Sequence, residues 1–207
     1  MKENILEFKI LTGLNGITEI ADEWKYLVKK NNTQEFYHTY EWHLTYIEHL
    51  CDNPDSVKFI FAYKNNELIA IFPLTIETRK FSIFSIKVLQ FPSHSHITLH
   101  DLIIKRDIVP LNNLITEMLR FCSNQADLKW DITCLASVIE GSNIEQQIDT
   151  EKPYLTKKQY IGQSYSISSK GSYDETTSHI PKSFRRNIAR QERKASKQGN
   201  ISFERIT

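Results

Sequence analysis

Two β-prone runs joined by a two-asparagine turn set the architecture of this chain. Val57, Phe59, Phe61 and Tyr63 alternate with Lys58, Ile60 and Ala62, which describes a strand with one face more apolar than the other. Asn65-Asn66 separates that run from Leu68-Ile-Ala-Ile-Phe-Pro-Leu74. Asparagine tolerates the positive φ that tight turns need, so the pair predicts a β-hairpin. A further strand is expected over Ile83 to Phe91, ended by Pro92, and a short one at Leu102-Ile-Ile104.

Helical signals flank this β region on both sides. After the short apolar run Phe8 to Leu11, the residues Ile17, Ile20, Ala21, Trp24, Leu27 and Val28 recur at helical spacing. They predict one helix starting at Asn15 or Thr18. Thr39 is placed to cap a second helix carrying Tyr40, His43, Leu44, Ile47 and Cys51 on one side. Two aromatic-rich helices in succession suit packing on a sheet. Pro110 predicts a helix start whose stripe is Leu111, Leu114, Ile115, Met118 and Cys122. A strand at Trp130 to Leu135, a short helix at Asn143 to Ile148 and a polar, β-prone stretch at Gln159 to Ser168 follow. Ser172 or Asp174 opens the approach to a basic helix beginning near Pro181. The order gives an α/β (α+β) chain with a mixed, mostly antiparallel sheet flanked by helices.

Charge is unevenly spread. Lys182 to Thr207 is net +6, whereas residues 1–181 are net −5, so any anion-seeking surface lies at the end. Cys51, Cys122 and Cys134 show no CxxC or Cys/His zinc spacing and read as buried free thiols in a reducing compartment. The N-terminus lacks a signal-peptide pattern, and no window is apolar enough to span a bilayer. The expected location is the cytoplasm.

The chemistry-bearing candidates are few. His94-Ser-His96-Ile-Thr-Leu-His100-Asp101 offers imidazoles at alternate positions, which suits a metal, a substrate-facing loop or an ordinary polar connection. The spacing matches no zinc motif and no fourth ligand is evident, so no metal is assigned. His38, His43, His49 and His179 carry no signal beyond surface or partly buried positions. Gly-x-Ser-x-Gly, GxGxxG and GxxxxGK[ST] are absent. Pairs such as Asp22-Glu23 and Asp174-Glu175 read as helix-end charges. In the basic helix, Phe184, Ile188, Gln191 and Ala195 form a narrow stripe, with arginines around the rest. Arginine forks suit phosphate, as in CoA, tRNA or a lipid-linked substrate, although a solvated helix surface explains the same residues. As a nucleic-acid module the helix lacks an evident recognition surface.

Taken in order, several of these pieces resemble a known family. They are Glu23-Trp24, Tyr40-Glu-Trp42, Ile71-Phe-Pro-Leu74, the His/Asp segment before Leu102-Ile-Ile104, Trp130-Asp-Ile, and Ser183-Phe-Arg-Arg-Asn-Ile-Ala-Arg-Gln-Glu-Arg-Lys with Gly199. This order resembles the bacterial acyltransferases of the GNAT superfamily called BioF2-like or CelD-like, relatives of the FemAB peptidyltransferases. The resemblance implies tandem GNAT-like folds linked by the basic helix, with the acyl-donor groove usually in the second half. It divides the chain into a GNAT-like domain over 1–172, a linking helix over 173–199 and, over 200–207, the first strand of an incomplete second domain.

What the resemblance implies is therefore the acceptor-side half of an N-acyltransferase. It would carry an acyl group from acyl-CoA to an amine, in cell-envelope or polysaccharide metabolism. Acetyl-CoA or another acyl-CoA is the expected co-substrate of the complete protein, and none is expected to bind this chain alone. The expected partners are a small-molecule amine acceptor and a C-terminal GNAT-like half or partner chain; nucleic acid is not expected, tRNA excepted. His96, His100 and Asp101 are the substrate-binding candidates, and Arg185, Arg186 and Arg190 the phosphate-contacting ones; no catalytic residue is assigned. The alternative is a non-catalytic domain whose basic helix docks on a polyanion or an acidic protein.

Overall fold

Six strands make one sheet among the described residues: β1 (Leu6–Thr12), β2 (Val57–Lys64), β3 (Glu67–Phe81), β4 (Phe84–Gln90), β5 (Ile103–Ile104) and β6 (Ile132–Cys134). The computed structural model describes residues 6–31, 35–92, 94, 99–105, 114–147, 156–163, 171–199 and 202. The sheet order is β1-β2-β3-β4-β6, with β5 also paired to β3. The first four strands run antiparallel in succession, and β6 lies parallel to β4. The expected turn joins β2 to β3, with Asn65 and Asn66 at φ 52° and 63°. That is the double left-handed geometry of a two-residue hairpin.

Both faces of the hairpin are buried, because its strands alternate between two cores. Val57, Phe59, Phe61, Ile71 and Ile103 pack with Ile17, Trp24, Leu27, Tyr40 and Ile47 from the preceding helices. Ile60, Ala62, Phe72, Leu74 and Ile104 pack with Leu114, Met118 and Cys122 on the other side. Helices α1 (Gly13–Glu19), α2 (Ala21–Lys30) and α3 (Tyr40–Thr45) therefore cover one face, and α4 (Leu114–Ser123) and α5 (Asn143–Gln147) the other. The mixed α/β class with a mostly antiparallel sheet flanked by helices is the fold.

Several local expectations are corrected. The helix predicted from Asn15 or Thr18 is two helices, α1 and α2, broken at Ile20, whose φ/ψ of −109°/9° leaves the helical region. The stripe survives the break because Ile17, Ile20, Trp24 and Leu27 are all buried. β3 runs on to Phe81, well past Leu74, as a projecting hairpin with β4. Glu77–Lys80 are exposed on both faces, so no alternation marks them. Residues 159–163 form no strand, and 164–168 lie outside the described residues. Cys122 is buried, with its thiol pushed up to about 12 by burial, but Cys51 and Cys134 are only half-buried. Pro110 and Leu111 lie outside the described residues; the rest of that stripe is buried as expected.

One feature of the sheet positions the site. β2 occupies one edge of β3 over Glu67–Thr75, so β4 and β5 share the other edge. Pairing there runs from Phe81↔Phe84 to Thr75↔Gln90 and resumes at Ile71↔Ile103 and Ala70↔Ile104. Lys105 N donates to Ile69 O at 2.8 Å beyond it. Among the described residues no strand pairs with Phe72, Pro73 and Leu74 on this edge. Pro73 thus sits where a missing N–H removes no rung on that side. In effect β4 and β5 are two pieces of one strand, the first ending at Gln90 and the second beginning at Ile103. Beyond β6 the chain keeps its parallel course and bridges His100 through Val138, with His100 N donating to Ser137 O at 3.0 Å.

Contacts gather the chain into two units, Met1–Gln159 and Tyr160–Thr207. The second contains α6 (Tyr173–Thr177) and α7 (Lys182–Ser196). Ser172 caps α6 in a reciprocal box: Glu175 N donates to Ser172 Oγ at 3.2 Å, and Ser172 N donates to Glu175 Oε2 at 2.8 Å. α7 follows Pro181, and none of its side chains is buried.

Candidate functional site

Three short segments of the first unit converge on a cleft of about 250 Å³: residues 35–38, 101–104 and 139–143, with Asn31. The first is a 3-10 turn, Phe36–His38, that leads into the N-cap of α3. It is fixed from several directions. Trp24 Nε1 donates to His38 O at 2.9 Å, His43 Nε2 lies 3.1 Å from Tyr37 O, and Thr39 Oγ1 donates to Phe36 O at 2.6 Å. Thr39 also accepts from Trp42 N at 3.2 Å, the cap expected from the sequence. Trp24 is fully buried, its ring 5.0 Å from His43 and 5.4 Å from Phe59. The turn is therefore hung on the aromatic core.

The second and third segments are tied together by Asp101. Its Oδ1 accepts from Leu102 N at 2.8 Å and Ile144 N at 3.0 Å, and its Oδ2 accepts from Asn143 N at 3.1 Å and Asn143 Nδ2 at 3.0 Å. Asn143 Nδ2 also reaches Leu102 O at 3.2 Å. Residues 139–143 turn back to make these bonds at Gly141, whose φ of +76° is cheap only for glycine. Asp101 holds the wall of the cleft and lines it as well.

His38 is the unusual member. Its residue is 6% exposed, and Nε2, itself shut off from solvent, has no hydrogen-bond partner among the described residues. A buried polar atom left unsatisfied costs about 1–3 kcal/mol, and such atoms in native folds call for an explanation. Burial pulls the His38 pKa below its ordinary value, against the opposing charges of Asp101 and Glu35. Tyr37 is pushed up to about 12 by burial, with Glu35 and Asp101 adding to it. Glu35, Asp101 and Glu140 all line the cleft, and no lysine or arginine does so among the described residues. The cleft thus offers carboxylates, a lining that favours cations over anions.

The sequence candidates fare differently. His96 lies outside the described residues. His100 is half-buried, stacked on Phe91 at 4.9 Å with rings 9° apart, and burial lowers its pKa to about 4. Asp101 reaches the cleft. Arg185, Arg186 and Arg190 are exposed on α7, where Arg190 Nη2 donates to Asn187 Oδ1 at 3.0 Å. His38 and His43, read from sequence as surface or partly buried, are both buried: the His43 ring packs on Trp24, and the His38 carbonyl accepts from the Trp24 indole. His49 and His179 are exposed. Among the described residues no group of three or more His, Cys, Asp or Glu is placed to hold a metal ion, and no helix is long and apolar enough to cross a membrane.

These histidines set a pH dependence. His43, lowered to about 3 by burial, and His100 stay neutral in the fold where the unfolded chain would protonate them. Between their folded values and the unfolded value of about 6.5 the unfolded state binds more protons. Their contribution is complete above that unfolded value and is lost as pH falls through it toward 4. Thermal melts should show Tm dropping over this window, and His100→Phe, which keeps the stack on Phe91, should shallow the drop. An unchanged slope in the variant would contradict this.

The molecule is a mixed α/β protein whose antiparallel sheet gains a parallel strand beside an interrupted one. No family model and no curated protein matches the chain. Among solved structures, it is similar to an aminoglycoside N-acetyltransferase, AAC(6')-Iy, in complex with CoA. The identity is 11% and the TM-score 0.46, over 79% of this chain and 97% of that one. An aminoglycoside acetyltransferase from an uncultured soil metagenomic sample is similar at 11% identity and a TM-score of 0.49, over 78% and 99%. A possible acetyltransferase from Clostridium difficile 630 is similar at 14% identity and a TM-score of 0.45, over 79% and 99%.

Proposed function

We propose that this chain supplies the acceptor-binding side of an N-acyl transfer from an acyl-CoA to a small amine. The observation that carries this reading is the cleft lining: the three carboxylates of Glu35, Asp101 and Glu140, with no lysine or arginine among the described residues. An amine acceptor is a cation at neutral pH, and carboxylates at the rim would concentrate it. The phosphates of CoA would be repelled by the same groups. The resemblance of the sequence to GNAT-type acyltransferases agrees with this division of labour. In such a reaction the free amine attacks the thioester carbonyl, the acyl carbon–sulfur bond breaks, and the thiolate of CoA leaves with a proton from the amine.

Asp101 and His100 have separate parts in this reading. Asp101 shapes the wall and adds negative charge; His100 lies before β5, bridged to Val138, with its ring against Phe91. The test is a pair of calorimetric titrations. Glucosamine, a small primary amine, should give saturable heat, and acetyl-CoA none. Saturable acetyl-CoA binding to this chain would overturn the acceptor-side assignment.

A second reading has its own observation. α7 exposes Arg185, Arg186 and Arg190 and buries none of its side chains. Such a surface would dock on a polyanion or an acidic protein, with binding that weakens steeply as salt rises.

A further inference from the structure

The hairpin that projects from the sheet ends in apolar side chains that no core receives. β2 pairs with β3 as far as Thr75, and β6 pairs with β4 from Val88. Between those limits, residues 76–81 and 84–86 pair only with each other among the described residues. Asp131 closes the base of this ribbon, its Oδ2 accepting from Lys87 N at 2.7 Å. At the far end Ser82 and Ile83 make a two-residue turn, with Ser82 at φ 49°. Ile83 is 97% exposed and Phe84 60%, and neither core includes them. Tight turns favour glycine, asparagine or aspartate, and the other hairpin of this sheet turns on Asn65-Asn66. A β-branched apolar residue at Ile83 serves neither the turn nor a core. Such breaks with local rules are expected at functional surfaces.

Positive charge surrounds this tip. From Thr78 to Gln90 the chain holds Arg79, Lys80 and Lys87 and no aspartate or glutamate. All three cations are exposed, and the carboxylates of Glu77 and Asp131 lie at the base. The pairs Lys80↔Ser85 and Thr78↔Lys87 put both lysines on one face of the ribbon. Arg79↔Ile86 and Phe81↔Phe84 put the arginine and Phe84 on the other, where Arg79 Nη2 donates back to Gln90 Oε1 at 2.5 Å. At about 3.4 Å per residue, Lys80 stands about 7 Å and Lys87 about 14 Å behind the tip. An apolar end followed by cations at those depths matches the layering of a bilayer surface, acyl chains first and phosphates above them. We propose that this hairpin is a membrane-docking element that seats Ile83 and Phe84 in an anionic bilayer surface while Lys80 and Lys87 meet its phosphates. A convex tip of two side chains is far smaller than the patch of about 800 Å² that a stable protein partner covers. A bilayer needs no matching shape. The proposal stands apart from the acceptor-side reading and does not depend on it.

The test is flotation of the full chain with two kinds of vesicle, phosphatidylcholine alone and phosphatidylcholine carrying one-third phosphatidylserine. The chain should float with the mixed vesicles and bind the neutral ones about tenfold or more weakly. Ile83→Asp removes a side chain that packs on no core, so its Tm should stay level while binding to the mixed vesicles falls about tenfold or more. Ile83→Leu should bind like the original. Lys80→Ala with Lys87→Ala should weaken binding to the mixed vesicles about fivefold per lysine and leave the neutral ones unaffected. In Ile83→Trp, the added emission should move to the blue on binding and be quenched by lipids brominated along their acyl chains. No flotation, or flotation indifferent to Ile83→Asp, would overturn the proposal. So would flotation abolished by reversing the charges of Arg185, Arg186 and Arg190 but untouched by the hairpin variants, which would put lipid binding on α7. Self-association that Ile83→Asp abolishes, without vesicle binding, would make the tip a contact between copies and overturn it as well. None of these failures bears on the amine titration, which tests the cleft alone.

Discussion

Trp24→Ala is expected to cost about 3–5 kcal/mol of stability, the range for truncating a buried aromatic side chain. Trp24 is fully buried between α2 and the sheet, with Tyr40, His43, Phe59 and Phe61 around its ring. Its indole N–H also holds the His38 carbonyl at 2.9 Å. Truncation therefore opens a cavity and releases the turn that carries Glu35, Tyr37 and His38 to the cleft. Urea unfolding measures the loss. Trp24→Phe separates the two effects: it keeps most of the packing and removes the N–H. It should cost less and still weaken amine binding. A phenylalanine variant as unstable as the alanine one would show that the hydrogen bond, and not the packing, dominates.

Asp101→Ala should cost about 2–4 kcal/mol, because it strips the acceptor from four N–H groups at once and hydrogen bonds to a charged acceptor are the stronger kind. Those donors belong to Leu102, Asn143 and Ile144. Asp101→Asn is the sharper variant. Its amide keeps one oxygen, but its NH₂ then faces donors, so it should recover less than half of the loss. In both variants residues 139–143 lose their anchor to residues 101–104, and hydrogen exchange at Asn143 and Ile144 should rise while exchange in β2 and β3 stays slow. Unchanged protection at Asn143 would contradict the anchoring role.

The hairpin was legible because its information is local: a period of two, then Asn65-Asn66 with the positive φ that the turn requires. The buried stripe of α1 and α2 was legible for the same reason, although the break at Ile20 was not, since the spacing of buried residues passes through it undisturbed. The interrupted strand depends on pairing Ile71 with Ile103, a contact between residues far apart in the chain. No window of sequence contains it. In the sequence Asp101 stands out only by its neighbours His96 and His100, and its bonds to Asn143 and Ile144 are equally long-range.

The burial of His38 leaves a trace in the sequence. Once Thr39 is read as an N-cap, His38 and His43 fall at the two positions flanking a helix start that commonly pack against each other. The lack of a partner for Nε2 could not be read, because it depends on what Trp24, Glu35 and Asp101 leave open in three dimensions.

The most direct measurement is glucosamine affinity by calorimetry in two variants set against the original chain. One carries Glu35→Gln with Glu140→Gln; the other reverses the charges of Arg185, Arg186 and Arg190. The account predicts a loss of about tenfold or more in the first, roughly 1.4 kcal/mol, and no change in the second. Binding that ignores the two glutamates, together with salt-sensitive polyanion binding abolished by the arginine reversals, would contradict it and move the function to α7.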